Sequence, residues 1–529
     1  PLALELAAAR VRSLSLAEIH GGLDDRFAIL RAGRRDAVPR QQTLRALIDW
    51  SYDLLDERER SLFRRLAIFV DGFAFASAAA VCAEIAPTGA VGSSEVGVLI
   101  ASLVEKSLLV ADTSGETTRY RLLESMRAYA LERLLEGGEG SELAGRHLAY
   151  FRSVAERAAA AFEAGGRDSD VMALLEPDLE DVRAALAWSL AGGDARVGAA
   201  LAIAIARQWT RLGLGAEGIE RLEALIAAVG NDLALLAGLW TSYAWLAGNN
   251  LRSAEGFDAA CTAVRYARTV GEPKTISAAL AQYGVLAARL RRFDDATAAL
   301  DEASALDGPE APPGRRLTLL EMRGFVSLLR HDLAAAAKAF EDQRALLRAA
   351  GDGYGEANAI LNLAETEHAR GNSARAIASV REILPHAARL LGREQHANLL
   401  GNLAGYLLAT GEVAGARAAA KESVELLATS APSATFVAIA LEHLALARAL
   451  QGEAEPAARL LGYSDAALRE LGFTREFNEQ GTHVRLLAVL HASMSQRDFD
   501  KLITAGAGWS PEQAIEAALS VDEGSSTLA

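Results

Sequence analysis

Residues 213–218 read GLGAEG, the spacing G-x-G-x-x-G that lets a backbone turn close on a dinucleotide pyrophosphate. That chemistry needs a strand before the loop. The preceding AIAIARQWTRL instead carries Trp and Arg at helical spacing, so Gly213, Gly215 and Gly218 read as the turn and first packing position of a helical hairpin. No G-x-x-x-x-G-K-[ST] stands anywhere in the chain to cradle nucleotide phosphates, and no G-x-S-x-G offers a nucleophile elbow. The nine histidines are scattered, without H-E-x-x-H and without a cysteine at ligand spacing. His147, His368 and His443 fall on predicted helices and are expected to be satisfied surface or groove residues. The acid pairs Asp24–Asp25, Glu180–Asp181 and Asp294–Asp295 are read as solvated faces or turns. The residues therefore offer no catalytic candidate, no metal ligand set and no enzyme activity for this chain.

Composition narrows what must position any site. A chain of 529 residues is too long for one core. With 51% apolar residues, abundant Ala and only 6% aromatics, it favours closely packed helices. Two cysteines far apart, Cys82 and Cys261, exclude a disulfide framework and point to a reducing cytoplasm. No run of apolar residues is long enough to span a bilayer, and VGAALAIAIARQW is too short. The net charge is −15, yet acids and bases nearly balance over the first 135 residues. The excess lies further along, where it would repel a phosphate backbone.

The front of the chain reads as short helices. TLRALIDWSYDLLDERERSLFRRLAIFV holds two, the second carrying Leu62, Leu66 and Phe69 at helical spacing, and DGFAFASAAAVCAEI reads as another. The Gly/Ser-rich PTGAVGSSE separates it from the helix VGVLIASLVEKSLL. SLLVADTSGETTRYRLL is the one convincing β signal, two extended runs about Ser114–Gly115. The helix ESMRAYALERLL follows and stops at Gly137–Gly138. Helices followed by a hairpin give a winged-helix layout. Used on DNA, VGVLIASLVEKSLL would be the recognition helix, but it offers only Ser102, Glu105 and Lys106 where Arg, Lys, Asn or Gln would read bases. Arg119 and Arg121 could decorate the wing, but a neutral domain is a poor phosphate binder, and a protein-packing role is the better expectation.

Beyond residue 195 the chain repeats. A small residue is followed twelve positions later by another, then four later by an apolar or small one, with anchors at Gly284, Gly324, Ala364, Ala404 and Ala445. Weaker units sit near Ala206 and Ala244. Small residues let the two helices of a hairpin touch, and the larger one fills the gap to the next hairpin. This is the tetratricopeptide (TPR) pattern, stretched from its usual period of about 34 to 40–41 by longer helices. Ser510, Pro511 and Gln513 cap a last helix, and the tail DEGSSTLA is expected to be disordered.

The segments PLALELAAARVRSLS, LDDRFAIL, PRQQTLRALIDWSYDLLDERERSLFRRLAIFVDGF, LVEKSLL and YRLLESMRAYALERL, in that order, resemble bacterial NB-ARC-type signal-transduction ATPases (STAND NTPases), large ATP-binding transcriptional regulators with C-terminal TPR arrays. The resemblance covers residues 1–190, most specifically Pro39 to Phe73, and the rest by architecture. In that family a motif G-L-P-L-A-L sets its proline against the nucleotide. The resemblance makes Pro1 that proline and places the P-loop upstream. The family's Met-His-Asp motif corresponds here to Leu122, Leu123 and Glu124, so no phosphate-touching residue is carried over from it.

The expected fold is predominantly all-α, a winged-helix domain with one β-hairpin followed by a TPR-like α-solenoid superhelix. The expected divisions are a helical-subdomain remnant (1–38), winged helix (39–138), helical linker (139–195), repeats (196–466), and capping helices with a tail (467–529). The resemblance implies the regulatory part of a STAND-type transcriptional regulator, with ATP or ADP bound only by the full-length protein and no cofactor in this chain. Its winged helix would relay nucleotide state from an upstream nucleotide-binding domain, and its TPR groove would take a protein, peptide or small-molecule inducer. No membrane and no direct nucleic-acid contact are expected. The alternative is a free-standing TPR interaction scaffold without nucleotide dependence.

Overall fold

In the computed structural model, which describes residues 44–83, 95–115, 117–250, 252–428 and 434–520, the chain divides into two compact units. The first comprises Pro1–Glu156 with Leu174–Leu201, and the second Arg157–Ala173 with Ala202–Ala529.

The first unit starts with α1 (Leu44–Asp53) and α2 (Glu57–Leu66). Asp56 opens α2 because its carboxylate accepts the free N–H groups of Arg58 and Glu59, both at 2.9 Å, while Glu59 takes the Asp56 N–H in return. Leu62 and Leu66 are fully buried on α2, and Phe69 is buried just past its end. β1 (Phe73–Ala74) and α3 (Phe75–Cys82) follow, then α4 (Val96–Glu105), β2 (Val110–Asp112), β3 (Arg119–Arg121) and α5 (Glu124–Glu136).

The predicted hairpin forms, with Ala111 opposite Tyr120, but the sheet has a third strand, in the order β1–β3–β2. DGFAFASAAAVCAEI is therefore not helical throughout: Phe73 and Ala74 pair with Tyr120 and Arg119 before α3 begins. Gly72 allows this at φ +135°, since a Cβ there would stand 3.0 Å from the Tyr120 carbonyl oxygen. α5 stops at Gly137, as expected. Beyond it run α6 (Gly140–Glu163), α7 (Asp168–Leu175), a 3₁₀ turn and α8 (Leu179–Leu190).

The second unit is a run of antiparallel helix pairs. They are α9 (Ala195–Arg211) with α10 (Gly215–Ala228), α11 (Leu233–Asn249) with α12 (Ser253–Val270), and α13 (Pro273–Arg289) with α14 (Phe293–Asp307). Next come α15 (Pro313–Leu329) with α16 (Leu333–Ala350), and α17 (Gly353–Ala369) with α18 (Ser373–Ile383). The short α19 (Ala387–Leu390) precedes α20 (Gly392–Thr410), which pairs with α21 (Val413–Ala428), and α22 (Ala434–Leu450) pairs with α23 (Ala454–Glu470). The unit closes with α24 (Phe477–Ser493), α25 (Gln496–Ala507) and α26 (Pro511–Leu519).

The anchors sit where the small-residue spacing put them. A Cβ on Gly324 of α15 would meet the Phe340 ring of α16 at 2.4 Å, and Phe340 is fully buried because nothing but hydrogen occupies that position. Ser423 and Ser464 on second helices each donate to a carbonyl 26 residues back, Ala397 at 2.7 Å and Ala438 at 2.8 Å, fixing the same register in successive pairs. The first helix of most pairs also packs on the first helix of the next, which makes the first helices the inner, concave layer of a TPR-like α-solenoid. Ser510 caps α26 with Gln513 as its capping-box partner, as the sequence predicts. The tail DEGSSTLA, residues 1–43 and the PTGAVGSSE loop up to its Ser94 lie outside the described residues.

Candidate functional site

The GLGAEG stretch forms no phosphate loop. α9 precedes it, Gly213 makes the turn at φ +70°, and α10 starts at Gly215. Gly218 is buried where a Cβ would come within 2.8 Å of the Trp209 ring. Pro1 lies outside the described residues. Among the described residues no three His, Cys, Asp or Glu side chains are gathered to hold a metal ion. A cleft of about 470 Å³ between α16, α17 and α18 presents Arg344, Arg348 and Arg375. All three are neutralised there: Arg344 and Arg348 pair with Glu356 at 3.2 and 2.6 Å, and Arg375 with Glu367 at 3.5 Å.

The three singled-out histidines have different fates. His147 is not a surface or groove residue. It is 2% exposed in the first unit, with Nε2 3.1 Å from Asp181 Oδ1. Asp181 itself corrects the reading of Glu180–Asp181 as a solvated pair: Glu180 is exposed, but Asp181 is 1% exposed and also accepts the Val70 N–H at 2.9 Å. The spacing of α8 turns one acid of the pair inward, and the strand-bearing turn after α2 supplies the donor that makes its burial tolerable. Two further ties join the winged helix to α6 and α8. Arg65, fully buried, and Arg64 grip Glu139 at 2.6 and 2.7 Å, and Arg119 pairs with Asp178 at 2.7 Å. Arg119 is thus held rather than free on the wing. On α4 the outward face is Val98, Ala101 and Glu105, while Ser102 donates to Glu59 at 2.6 Å and Lys106 pairs with the same carboxylate.

His368 and His443 meet on the concave layer, which gathers most of the array's buried polar chemistry. Tyr406 of α20 donates to Glu365 of α17 at 2.8 Å, and the His368 ring stands 4.8 Å from the Tyr406 ring. Across this floor lies α24, packed on the first helices α17, α20 and α22. Its Phe477 ring reaches His368 at 5.4 Å and His331 at 6.2 Å. His443 Nδ1 is 2.9 Å from the Thr482 hydroxyl, and His483 Nδ1 is 2.8 Å from Glu442. Arg475, just before α24, donates to Glu442 at 3.0 Å.

Burial sets the electrostatics. It pushes the Glu365 carboxyl up to about 7, with Glu476 adding repulsion while the Tyr406 hydroxyl and the Asn478 backbone amide pull down. Burial, then Glu365 and Glu476, holds Glu479 well above the usual carboxylate range. His368 and His443 are both pushed down to about 4 by burial, so each is neutral at physiological pH. Farther up the same layer, Arg207 of α9 sits 4.2 Å from the Phe162 ring and 5.1 Å from the Trp245 ring. Burial raises the Glu321 carboxyl of α15 while Arg207 pulls it down. Sequence reasoning did not single out Glu365, Tyr406 or Glu479. The signal available was position: Glu365 and Tyr406 fall within two residues of the small anchors Ala364 and Ala404, on helices that form the inner layer.

Residues 55–135 match the family described as a winged helix-turn-helix domain. A protein of Mycobacterium tuberculosis strain H37Rv and one of Mycobacterium bovis, both provisionally named as HTH-type transcriptional regulators, are 35% identical over 403 residues, covering 73% of this chain and 44% of each relative. An uncharacterized M. tuberculosis protein is 41% identical over 152 residues, 29% of this chain and 38% of that protein. The chain thus spans less than half the length of the curated relatives it matches. In structure it is similar to a signal-transduction ATPase with numerous domains (STAND) from Pyrococcus horikoshii that carries a tetratricopeptide repeat sensor. The TM-score is 0.51 at 13% identity, over 96% of this chain and 71% of that one. Among the described residues no helix is long and apolar enough to cross a membrane. The chain carries a winged helix-turn-helix domain followed by TPR-like helical repeats, and the relatives that match 73% of it are provisionally named HTH-type transcriptional regulators.

Proposed function

We propose that this chain is the regulatory and sensing part of a STAND-type ATPase regulator of transcription, acting in the cytoplasm. The winged helix relays the state of an upstream nucleotide-binding domain, and the concave layer of the array binds a protein, peptide or small inducer. ATP or ADP belongs to that upstream domain, and this chain has no catalytic role. The observation that carries the reading is how the winged helix spends its polar groups. Arg64, Arg65, Arg119 and the Val70 amide are all committed to acids near or on the helices that follow, and α4 turns Val98 and Ala101 outward. Such a domain is built to pass a displacement to its neighbours and to pack on protein; α4 lacks the donors that read bases. A signal acts through it only if the ligand prefers one of two states.

Calorimetric titration of the purified 529-residue chain with ATP is expected to show no saturable binding. The product of the longer reading frame is expected to bind ATP through a P-loop, with nucleotide exchange that responds to the inducer. Saturable ATP turnover by this chain, or a longer frame without a P-loop, overturns the proposal; the second outcome leaves a TPR interaction scaffold.

A further inference from the structure

The seat of α24 on the concave layer is polar. α24 arrives at the concave layer with Glu479, 8% exposed, set against Glu365. Its Asn478 is 2% exposed, and neither atom of the side-chain amide has a hydrogen-bond partner. That amide lies directly on Gly405 of α20, where a Cβ would stand 2.2 Å from Asn478 Oδ1. Nε2 of His443, 1% exposed beside Thr482, is likewise unpartnered. Two like-charged acids and two orphaned polar groups at one contact are costly, while Val484 on the same helix stays 57% exposed.

We propose that α24 is a displaceable occupant of the groove: seated N-terminus first on α17, α20 and α22, it holds the concave layer shut until a ligand takes its place. This rests on the groove being the ligand site, and it adds that the site is latched from within the chain. The latch is also proton-dependent. Glu365 is held up to about 7 while α24 is docked and returns towards 4.5 when the helix leaves. A carboxyl raised in the docked state favours docking at low pH, and that advantage disappears as pH rises through 7.

The two histidines that face this pair work against it. Tyr406, raised well above its usual range, stays neutral throughout, but His368 and His443, held near 4 while buried, regain protons near pH 6 once α24 leaves, which favours opening at low pH. Glu476 stands beside the pair as a third acid, and Glu442 on α22 is occupied by Arg475 and His483, with Arg475 also reaching Asp465 of α23.

Hydrogen–deuterium exchange on the full chain tests this, with rates corrected for the intrinsic pH dependence of amide exchange. Relative to α22, the pH 8 to pH 6 ratio of opening for residues 477–493 is expected to be at least about tenfold larger in the wild type than in the double variant E365Q/E479Q, tenfold being one proton at Glu365. E365Q/E479Q leaves the opposing histidine contribution in place, with His483 still on Glu442. G405A is expected to open α24 at both pH values, and G405A/N478A to close it again. An equal pH 8 to pH 6 ratio in the wild type and in E365Q/E479Q overturns the proposal. So does G405A with α24 as protected as before. No ligand enters the measurement, so its failure is distinct from failure of the groove as a ligand site.

Discussion

Replacing Asp181 by Ala tests whether the winged helix and α8 are joined by chemistry rather than by apolar packing alone. The wild-type carboxylate accepts the Val70 N–H at 2.9 Å and meets His147 Nε2 at 3.1 Å, at 1% exposure. Truncation takes the acceptor from the part-buried Val70 N–H, about 0.5–1.5 kcal/mol, and strips the buried His147 of its carboxylate. It also removes the negative charge that offsets the burial of Arg127. Leaving a buried polar group without its partner costs about 1–3 kcal/mol, and D181A is expected to cost about 3 kcal/mol. D181N keeps an acceptor of the same shape for Val70 and loses only the charge, so it is expected to cost about 1–2 kcal/mol. Denaturant unfolding read by amide exchange at residues 57–136 reports the winged helix separately from the array. A D181A loss below about 0.5 kcal/mol, the range of surface substitutions, or a D181N loss equal to it, refutes the assignment of Asp181 as the tie.

Placing a methyl group at position 324 asks whether the repeat is set by close helix approach. G324A drives a Cβ to 2.4 Å from the Phe340 ring and is expected to destabilise the α15–α16 pair by about 1–3 kcal/mol. Unfolding of the array reads it, and an unchanged midpoint would show that the pair is not close-packed there. The two cysteines are free: Cys82 is fully buried with its thiol pushed up to about 12, while Cys261 is exposed. A thiol reagent at pH 8 is expected to modify one thiol per native chain and two in denaturant; rapid loss of both in the native protein would place Cys82 at the surface. Duplex DNA is expected to give no salt-dependent shift with this chain, because α4 presents Val98, Ala101 and Glu105 outward. A shift that weakens steeply with salt would make the winged helix a DNA reader.

Local chemistry made much of the fold legible. Asp56 and Ser510 cap their helices through short-range bonds that involve only the next three residues, and Gly137 ends α5 for an equally local reason. The forty-residue rhythm of small residues dictated the helix pairs because Gly324 or Ala364 admits a neighbour whatever lies farther off. What the sequence left open depends on partners distant in the chain. β1 exists because Gly72 brings Phe73 beside Tyr120, and two residues carry too little periodicity to announce a strand. Asp181 looked solvated until a turn 111 residues away supplied its donor. Glu365 and Glu479 are ordinary surface-type acids until α24 folds back over the first helices. Periodicity records which face of a helix is apolar; it does not record which segment comes to cover the polar face, and here that covering is what turns separate side chains into a site.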